Sequence, residues 1–348
     1  MSYQRETISG REAQRPLFVG IDLGATNTKI GLVDEVGRTI GFESVPTVVS
    51  AGPEAAVREM GRVVERLIER AGVSKRDVAA IGLGAPGPID VPAGKLVAPV
   101  NLPGWQGFDL RDRVSECCGL PVRFCHDACA AVFGEYWLGR HGEMRSVVLF
   151  TLGTGLGCGI VVDGVLVEGR HSHGAMVGHI VVDAREDARV CPCGQRGHLE
   201  AYVSGIALVK RAVEMMEEGR KTSLNARREH GDALTPLVIA EEATAGDATA
   251  LELVMDAAKY LAVGIVSMMH TIDPDAVLVG GGIDFGGPET ALGRRFLERI
   301  REEVRLRAFP VPAQRTTIDY ATLGSDAGYL GAAGLARAEH RKMPSIPR

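Results

Sequence analysis

Phe150-Thr151-Leu152-Gly153-Thr154-Gly155-Leu156-Gly157-Cys158-Gly159-Ile160 decides the reading of this chain. The apolar run Val147 to Phe150 enters it and Ile160 to Val162 leaves it. Two β-type runs around a glycine-rich turn read as a hairpin. Its tip carries little bulk and many backbone N–H groups, so it is either a plain tight turn or a cradle for phosphate. A second copy favours the cradle. Leu17 to Ile21 leads into Asp22-Leu23-Gly24-Ala25-Thr26-Asn27-Thr28-Lys29 and returns through Ile30 to Val33, about 130 residues earlier. Both copies end in Val-Asp, at Val33-Asp34 and Val162-Asp163. That spacing reads as a duplicated α/β domain rather than a solenoid repeat, and the two hairpins predict a nucleotide clamped between two lobes.

The 348 residues suffice for two domains of ordinary size. Hydrophobic residues make up 45% and charged residues 24%, as in ordinary globular proteins. A net charge of -5 gives no nucleic-acid signal. The polar start, Met1 to Pro16, lacks the apolar core of a signal peptide, and the longest apolar run, Tyr260 to Met269, is too short for a bilayer. Seven cysteines, an odd number, without an export signal predict a reducing, cytoplasmic setting.

Taken in order, residues 1–16 read as a disordered tail. Pro53 to Ala71 repeats apolar residues at helical spacing and stops at Gly72. Val78 to Leu83 is a strand running into Gly84-Ala85-Pro86-Gly87-Pro88-Ile89-Asp90, read as a loop. Asn101 to Trp105 is another. Phe108 to Cys118 reads as a helix, and Val122 to Cys125 as a strand ending at His126-Asp127, where Asp127 is either a helix cap or a general base facing a cleft. Cys191-Pro192-Cys193-Gly194, His198 and the upstream His179 offer two sulfurs and two imidazoles, a complete tetrahedral set for zinc; otherwise the thiols are two buried free cysteines. Ala248 to His270 is a long helix and Ala276 to Val279 a strand, leading to Gly280-Gly281-Gly282, where a flat ligand could approach. The expected division is a tail (1–16), an N-terminal lobe (17–126), a C-terminal lobe with the zinc loop (127–323), and a C-terminal helix (324–348) packing back on the N-terminal lobe.

Together these motifs resemble the ROK family of actin-like ATPase-fold sugar kinases. The likeness runs from about Phe18 to Ala336, through Asp22–Lys29, Gly84–Pro88, Asn101–Trp105, His126-Asp127, Thr151–Gly159, Gly178-His179, Cys191–Glu200 and Gly280–Gly282, in family order. The resemblance implies duplicated ribonuclease H-like lobes about a central cleft and ATP-dependent phosphorylation of a hexose, glucose at its 6-hydroxyl above all. It implies Asp127 as base. Gly84, Asn101, His126, Asp127, Met176, His179 and Glu200 fall at sugar-binding positions. Asp22, Gly24, Thr26, Lys29, Gly153, Thr154, Gly155, Gly281 and Gly282 fall at positions for ATP-Mg²⁺. Structural zinc on His179, Cys191, Cys193 and His198 would pin His179 and the loop to Glu200. A homodimer is expected, with sugar and ATP as its small-molecule partners and neither nucleic acid nor membrane.

The chain departs from the family pattern at four places. Met176 replaces the Glu of Glu-x-Gly-His, His126 replaces the Asn before the base, Ala25 replaces a glycine, and His198 replaces the knuckle's third cysteine. The first two predict an altered sugar pocket with glucose a poor or atypical substrate, unless a neighbour such as His173 fills the gap. The rivals are a kinase for another hexose or an N-acetyl-hexosamine, a sugar-binding regulatory protein without catalysis, and a family repressor. The repressor reading is disfavoured because 16 residues before the first strand hold no helix-turn-helix.

Overall fold

The computed structural model describes residues 5–99 and 101–342. The strands are β1 (Leu17–Leu23), β2 (Asn27–Val33), β3 (Thr39–Pro46), β4 (Val78–Ala85), the two-residue β5 (Ile89–Asp90) and β6 (Lys95–Leu96), β7 (Val122–His126), β8 (Val147–Leu152), β9 (Leu156–Val162), β10 (Val165–Leu166), β11 (Ala276–Gly281) and β12 (Thr317–Tyr320). The helices are α1 (Pro53–Ala71), α2 (Leu110–Cys118), α3 (Asp127–Leu138), α4 (Glu200–Val203), α5 (Gly205–Glu217), α6 (Leu224–Glu229), α7 (Pro236–Ala245), α8 (Ala248–Ile272), α9 (Ala291–Arg307), α10 (Pro310–Arg315) and α11 (Ala327–Lys342). Two five-stranded sheets result, in the orders β3-β2-β1-β4-β7 and β10-β9-β8-β11-β12. Each is built around a glycine hairpin, β1–β2 and β8–β9.

The chain forms two compact units. Residues 144–158 and 176–321 make one, holding the second glycine turn; residues 5–143, 159–175 and 322–342 make the other, holding the first. The expected division at 126/127 falls elsewhere here, because α3 packs with α11 and the first sheet.

In the first-turn unit, β1, β4 and β7 run parallel, with Asp22 beside Gly84, Gly84 beside Cys125, and Ala85 beside His126. This register brings three strand ends, and the residues on them, to one edge. The stretch expected as a loop from Gly84 therefore begins as strand, since Gly84 and Ala85 complete the β4 pairing. On one face α1 buries Val57, Met60, Val63, Val64, Leu67 and Ile68, each worth about 1.5–3 kcal/mol of transfer. On the other face α11 lies with its backbone against the sheet. A Cβ on Gly82 would stand 1.8 Å from the Ala332 carbonyl oxygen, so only glycine allows this approach.

Residues 5–16, expected as a disordered tail, are tied to the same unit. Arg5 pairs with Asp326 at 2.5 Å, the Ile8 N–H donates to the Thr39 carbonyl at 2.9 Å, and the Gln14 N–H donates to the fully buried Asp34 at 3.1 Å. Residues 1–4, 100 and 343–348 lie outside the described residues. Among the described residues no helix is long and apolar enough to cross a membrane.

Candidate functional site

The parallel strand ends of the first-turn unit bring two carboxylates near one another. Asp22 is the penultimate residue of β1 and is half-buried, and Asp127 opens α3 immediately after β7. Burial first, and then the Asp127 charge, push the Asp22 carboxyl up to about 6, with Lys29 pulling the other way. Asp127 goes down instead. Burial would raise it, but the His126 charge and hydrogen bond and the Ala128 N–H outweigh burial and hold it below the ordinary carboxylate value. The two environments push the carboxyl pKa values apart, so that Asp127 ionises before Asp22. Asp127, read as either cap or base, lies in the first turn of α3 with His126 at the position before it, and its Oδ1 accepts from the Ala128 N–H at 2.6 Å.

The other expected residues of this unit surround the pair. A Cβ on Gly84 would lie 3.6 Å from the Asp127 Cα. Lys29 donates to the Ser325 carbonyl at 2.8 Å. Gly24 and Thr26 hold the turn, the Gly24 N–H donating to the Asn27 carbonyl at 3.1 Å and the Thr26 carbonyl accepting from Thr47 at 2.8 Å. Asn101 is exposed at the head of its loop.

In the second-turn unit, Gly153, Thr154 and Gly155 form the tip. The Gly205 N–H, at the start of α5, donates to the Gly153 carbonyl at 2.9 Å, and the Ile206 N–H reaches the Thr154 carbonyl at 3.4 Å. In a trans peptide the N–H points opposite the C=O. With both carbonyls turned to α5, the N–H groups of Thr154 and Gly155 face away from it, a geometry suited to an anion. Glu200 braces the returning strand by accepting from the Leu156 N–H at 2.8 Å. A Cβ on Gly155 would lie 2.6 Å from the same carboxylate oxygen. Gly281, with φ of 101°, ends β11 and Gly282 follows it, and the Ile283 N–H donates to the Leu152 carbonyl at 3.1 Å, so the triple glycine closes against the end of β8. The Ser204-Gly205 start of α5 did not figure among the expected residues, although a Ser before an apolar helical run is a cap signal. The Ser204 Oγ accepts from the Ala207 N–H at 3.2 Å.

The metal-type residues converge in the same unit. Ligand atoms of His179, Cys191, Cys193 and His198 all lie within 4.8 Å of one another. Cys191 Sγ is 3.8 Å from His179 Nδ1, and Cys193 Sγ is 3.2 Å from His198 Nδ1. The edge of a tetrahedron with metal–ligand bonds of 2.0–2.3 Å is about 3.5 Å, so the set fits a four-coordinate ion. The knuckle is a tight turn, with Gly194 donating to the Cys191 carbonyl at 2.9 Å and Cys191 to the Gln195 carbonyl at 2.8 Å. Cys191 Sγ also lies 3.6 Å from Glu200 Oε1, linking the knuckle to the glutamate that braces the hairpin. Met176 is half-buried and precedes the single turn Val177–His179.

Residues 18–339 match the ROK family. A glucokinase of Halalkalibacterium halodurans is 31% identical over 326 residues, covering 94% of this chain and 96% of that protein. A xylose repressor of Caldicellulosiruptor bescii is 29% identical, covering 94% and 79%. Among solved structures, the ROK hexokinase of Thermus thermophilus superposes with a TM-score of 0.78 at 31% identity, covering 94% of this chain and all of that one. A ROK glucokinase of Streptomyces griseus, in complex with glucose and AMPPNP, gives 0.72 at 32% identity, covering 92% and 99%. The chain belongs to the ROK family and has its two-sheet α/β, actin-like ATPase fold. It is an enzyme of the sugar-kinase class.

Proposed function

We propose that the chain transfers the γ-phosphoryl group of ATP to a hexose hydroxyl, the 6-hydroxyl in the glucokinase manner, with Asp127 as base. The observation that carries this reading is the meeting of Asp22 and Asp127 at the aligned ends of β1 and β7, beside Gly84, with Asp127 held ionised by His126 and the Ala128 N–H. The hydroxyl oxygen attacks the γ-phosphorus, ADP leaves, and the hydroxyl proton passes to Asp127. A carboxylate of low pKa is adequate for this, because the transition state is loose and catalysis is mainly positioning and electrostatics. The Thr154 and Gly155 amides suit the phosphates, with Gly24, Thr26, Lys29, Gly281 and Gly282 as further nucleotide residues. Gly84, Asn101, His179 and Glu200 are the sugar residues, as the resemblance implies; the resemblance also puts His126 at a sugar position, but its ring turns to Asp127. The ligands of the Streptomyces griseus relative support sugar and nucleotide as the two substrates.

Asp22 has no hydrogen-bond donor among the described residues and is held near 6 largely by burial, so it fits the hard oxygen ligands that Mg²⁺ takes. Bound Mg²⁺ supplies charge neutralisation at the phosphates. For the Cys/His set the donor chemistry points to zinc in a structural role, holding His179 and the segment to Glu200. Seven cysteines, an odd number, favour a reducing, cytoplasmic setting.

Met176 leaves a sugar hydroxyl facing a thioether where the family pattern has a carboxylate. A hydrogen bond to a charged group is worth about 1.5–3 kcal/mol, or roughly 10- to 150-fold in affinity. ATP consumption measured across glucose, its epimers and N-acetyl-hexosamines, for wild type and Met176→Glu, tests the reading. Turnover on at least one hexose and a gain in glucose affinity for Met176→Glu are expected. No turnover on any sugar would replace the kinase with a sugar-binding regulator, the reading that the likeness to the xylose repressor favours. Tight glucose binding by wild type that Met176→Glu impairs would restore an ordinary glucose pocket.

A further inference from the structure

We propose that His126 is a positioning residue for the base: its Nδ1–H holds one oxygen of Asp127, so that the other is free to take the proton of the sugar hydroxyl. The inference rests on the reading of Asp127 as base, and it assigns His126 to the carboxylate rather than to the sugar.

The geometry is specific. His126 Nδ1 lies 2.9 Å from Asp127 Oδ1. The Ala128 N–H reaches the same Oδ1 at 2.6 Å and stands 3.3 Å from Nδ1. Of the two acceptors, the nearer and charged oxygen takes the N–H. Nδ1 is then free to keep its own hydrogen and donate it to Oδ1. Among the described residues Oδ2 has no donor, so two donors on one oxygen fix the carboxylate plane and leave the other oxygen open. The ring is itself fixed. A Cβ on Gly87 would stand 2.7 Å from Nε2, so the imidazole occupies room that only a glycine leaves.

Asn and His share one feature that explains the exchange at this position: Nδ2 of Asn and Nδ1 of His are both bonded to Cγ, so each can hand a hydrogen to the same place. His adds a charge when protonated. Burial lowers the His126 pKa, but the Asp127 charge and hydrogen bond raise it more, and the net shift is upward. The other ionisable neighbours do not compete for the ring. Asp22 on β1 acts on Asp127 and is itself opposed by Lys29 on β2. Burial keeps the Cys125 thiol far above its usual value, hence neutral. Arg123, further back on β7, is engaged by Glu168 and Glu339.

His126 discharges as pH rises through its raised pKa, and Asp127 then becomes the stronger base. Wild-type turnover on the best hexose of the panel should therefore rise about two- to fivefold through an inflection above pH 6.5. The NMR titration of the His126 imidazole should coincide with that inflection. Replacing Asp127 by Asn should lower the His126 pKa, as expected when an opposite charge is removed. His126→Asn should lose the inflection, and at pH 8 His126→Leu should be at least about tenfold slower than His126→Asn, which still donates. A His126 pKa unmoved by Asp127→Asn, or His126→Leu turning over as fast as His126→Asn, would overturn the inference while leaving the base assignment intact. An active Asp127→Asn variant would overturn the base assignment itself, and the inference with it.

Discussion

The two glycine hairpins share a sequence pattern and differ in how they are held. The first is fixed by its own neighbourhood: the turn closes through Gly24 and Asn27, and it is supported by Thr47, just after β3, whose hydroxyl lies 2.7 Å from that of Thr28. Its acid, Asp22, is part of the strand and has no hydrogen-bond donor among the described residues. The second hairpin has no acid in its entering strand. Its carboxylate, Glu200, comes from α4 and is spent on the Leu156 backbone, while α5 takes the turn's carbonyls. Duplication supplied two similar cradles, and the surroundings divided the labour. One leaves its carboxylate without a hydrogen-bond donor among the described residues, and the other is a braced amide surface.

That contrast can be broken first at Asp22. Its carboxyl is raised from 3.8 to about 6, so between those values the folded state holds its proton more tightly than the unfolded chain. Stability therefore falls as pH rises through that window, and above it the penalty is roughly 3 kcal/mol at about 1.36 kcal/mol per unit. Asp22→Asn should stabilise the protein by up to about 3 kcal/mol at pH 7 and by little near pH 4, while losing turnover. Urea melts at the two pH values check this, and equal shifts at both would contradict it.

Metal removal should act on the second hairpin alone. Protein purified without chelator should carry about one equivalent of zinc. Stripping it frees the knuckle beside Glu200, and the Leu156 N–H bond to that carboxylate, worth about 1.5–3 kcal/mol, loosens. Amide exchange at Leu156 should accelerate roughly 10- to 150-fold, with residues 24–27 unchanged. Equal acceleration in both turns would remove the distinction. The smallest effect belongs to the cap. Ser204→Ala should cost about 1 kcal/mol in a urea melt and weaken nucleotide binding more than sugar binding.

Much of this was legible because it is local. Helix α1 begins at Pro53 and ends at Ala71 as its periodicity predicts, both hairpins stand where the glycines announce them, and the four metal-type residues meet. What was not legible depends on distant partners. Glu135 is fully buried in α3 and looked like any helical glutamate, yet it accepts from the Thr322 and Leu323 N–H groups, 187 and 188 residues away. The four-residue β12 has too few residues for a period and exists through its pairing with β11. Residues 5–16 carry a polar composition, but Asp34 and Asp326 supply partners that composition cannot reveal. The cap at His126 was hidden because an Asp at a strand-to-helix junction is itself a good cap.

The most direct test of the central claim is Asp127→Asn, which keeps the side-chain shape and removes the basic oxygen. With ATP-Mg²⁺ and the best hexose of the panel, ³¹P NMR should show a sugar 6-phosphate formed by wild type and turnover reduced about 10²- to 10⁴-fold in the folded variant. A folded Asp127→Asn enzyme that forms the same product at a rate near wild type would contradict the account.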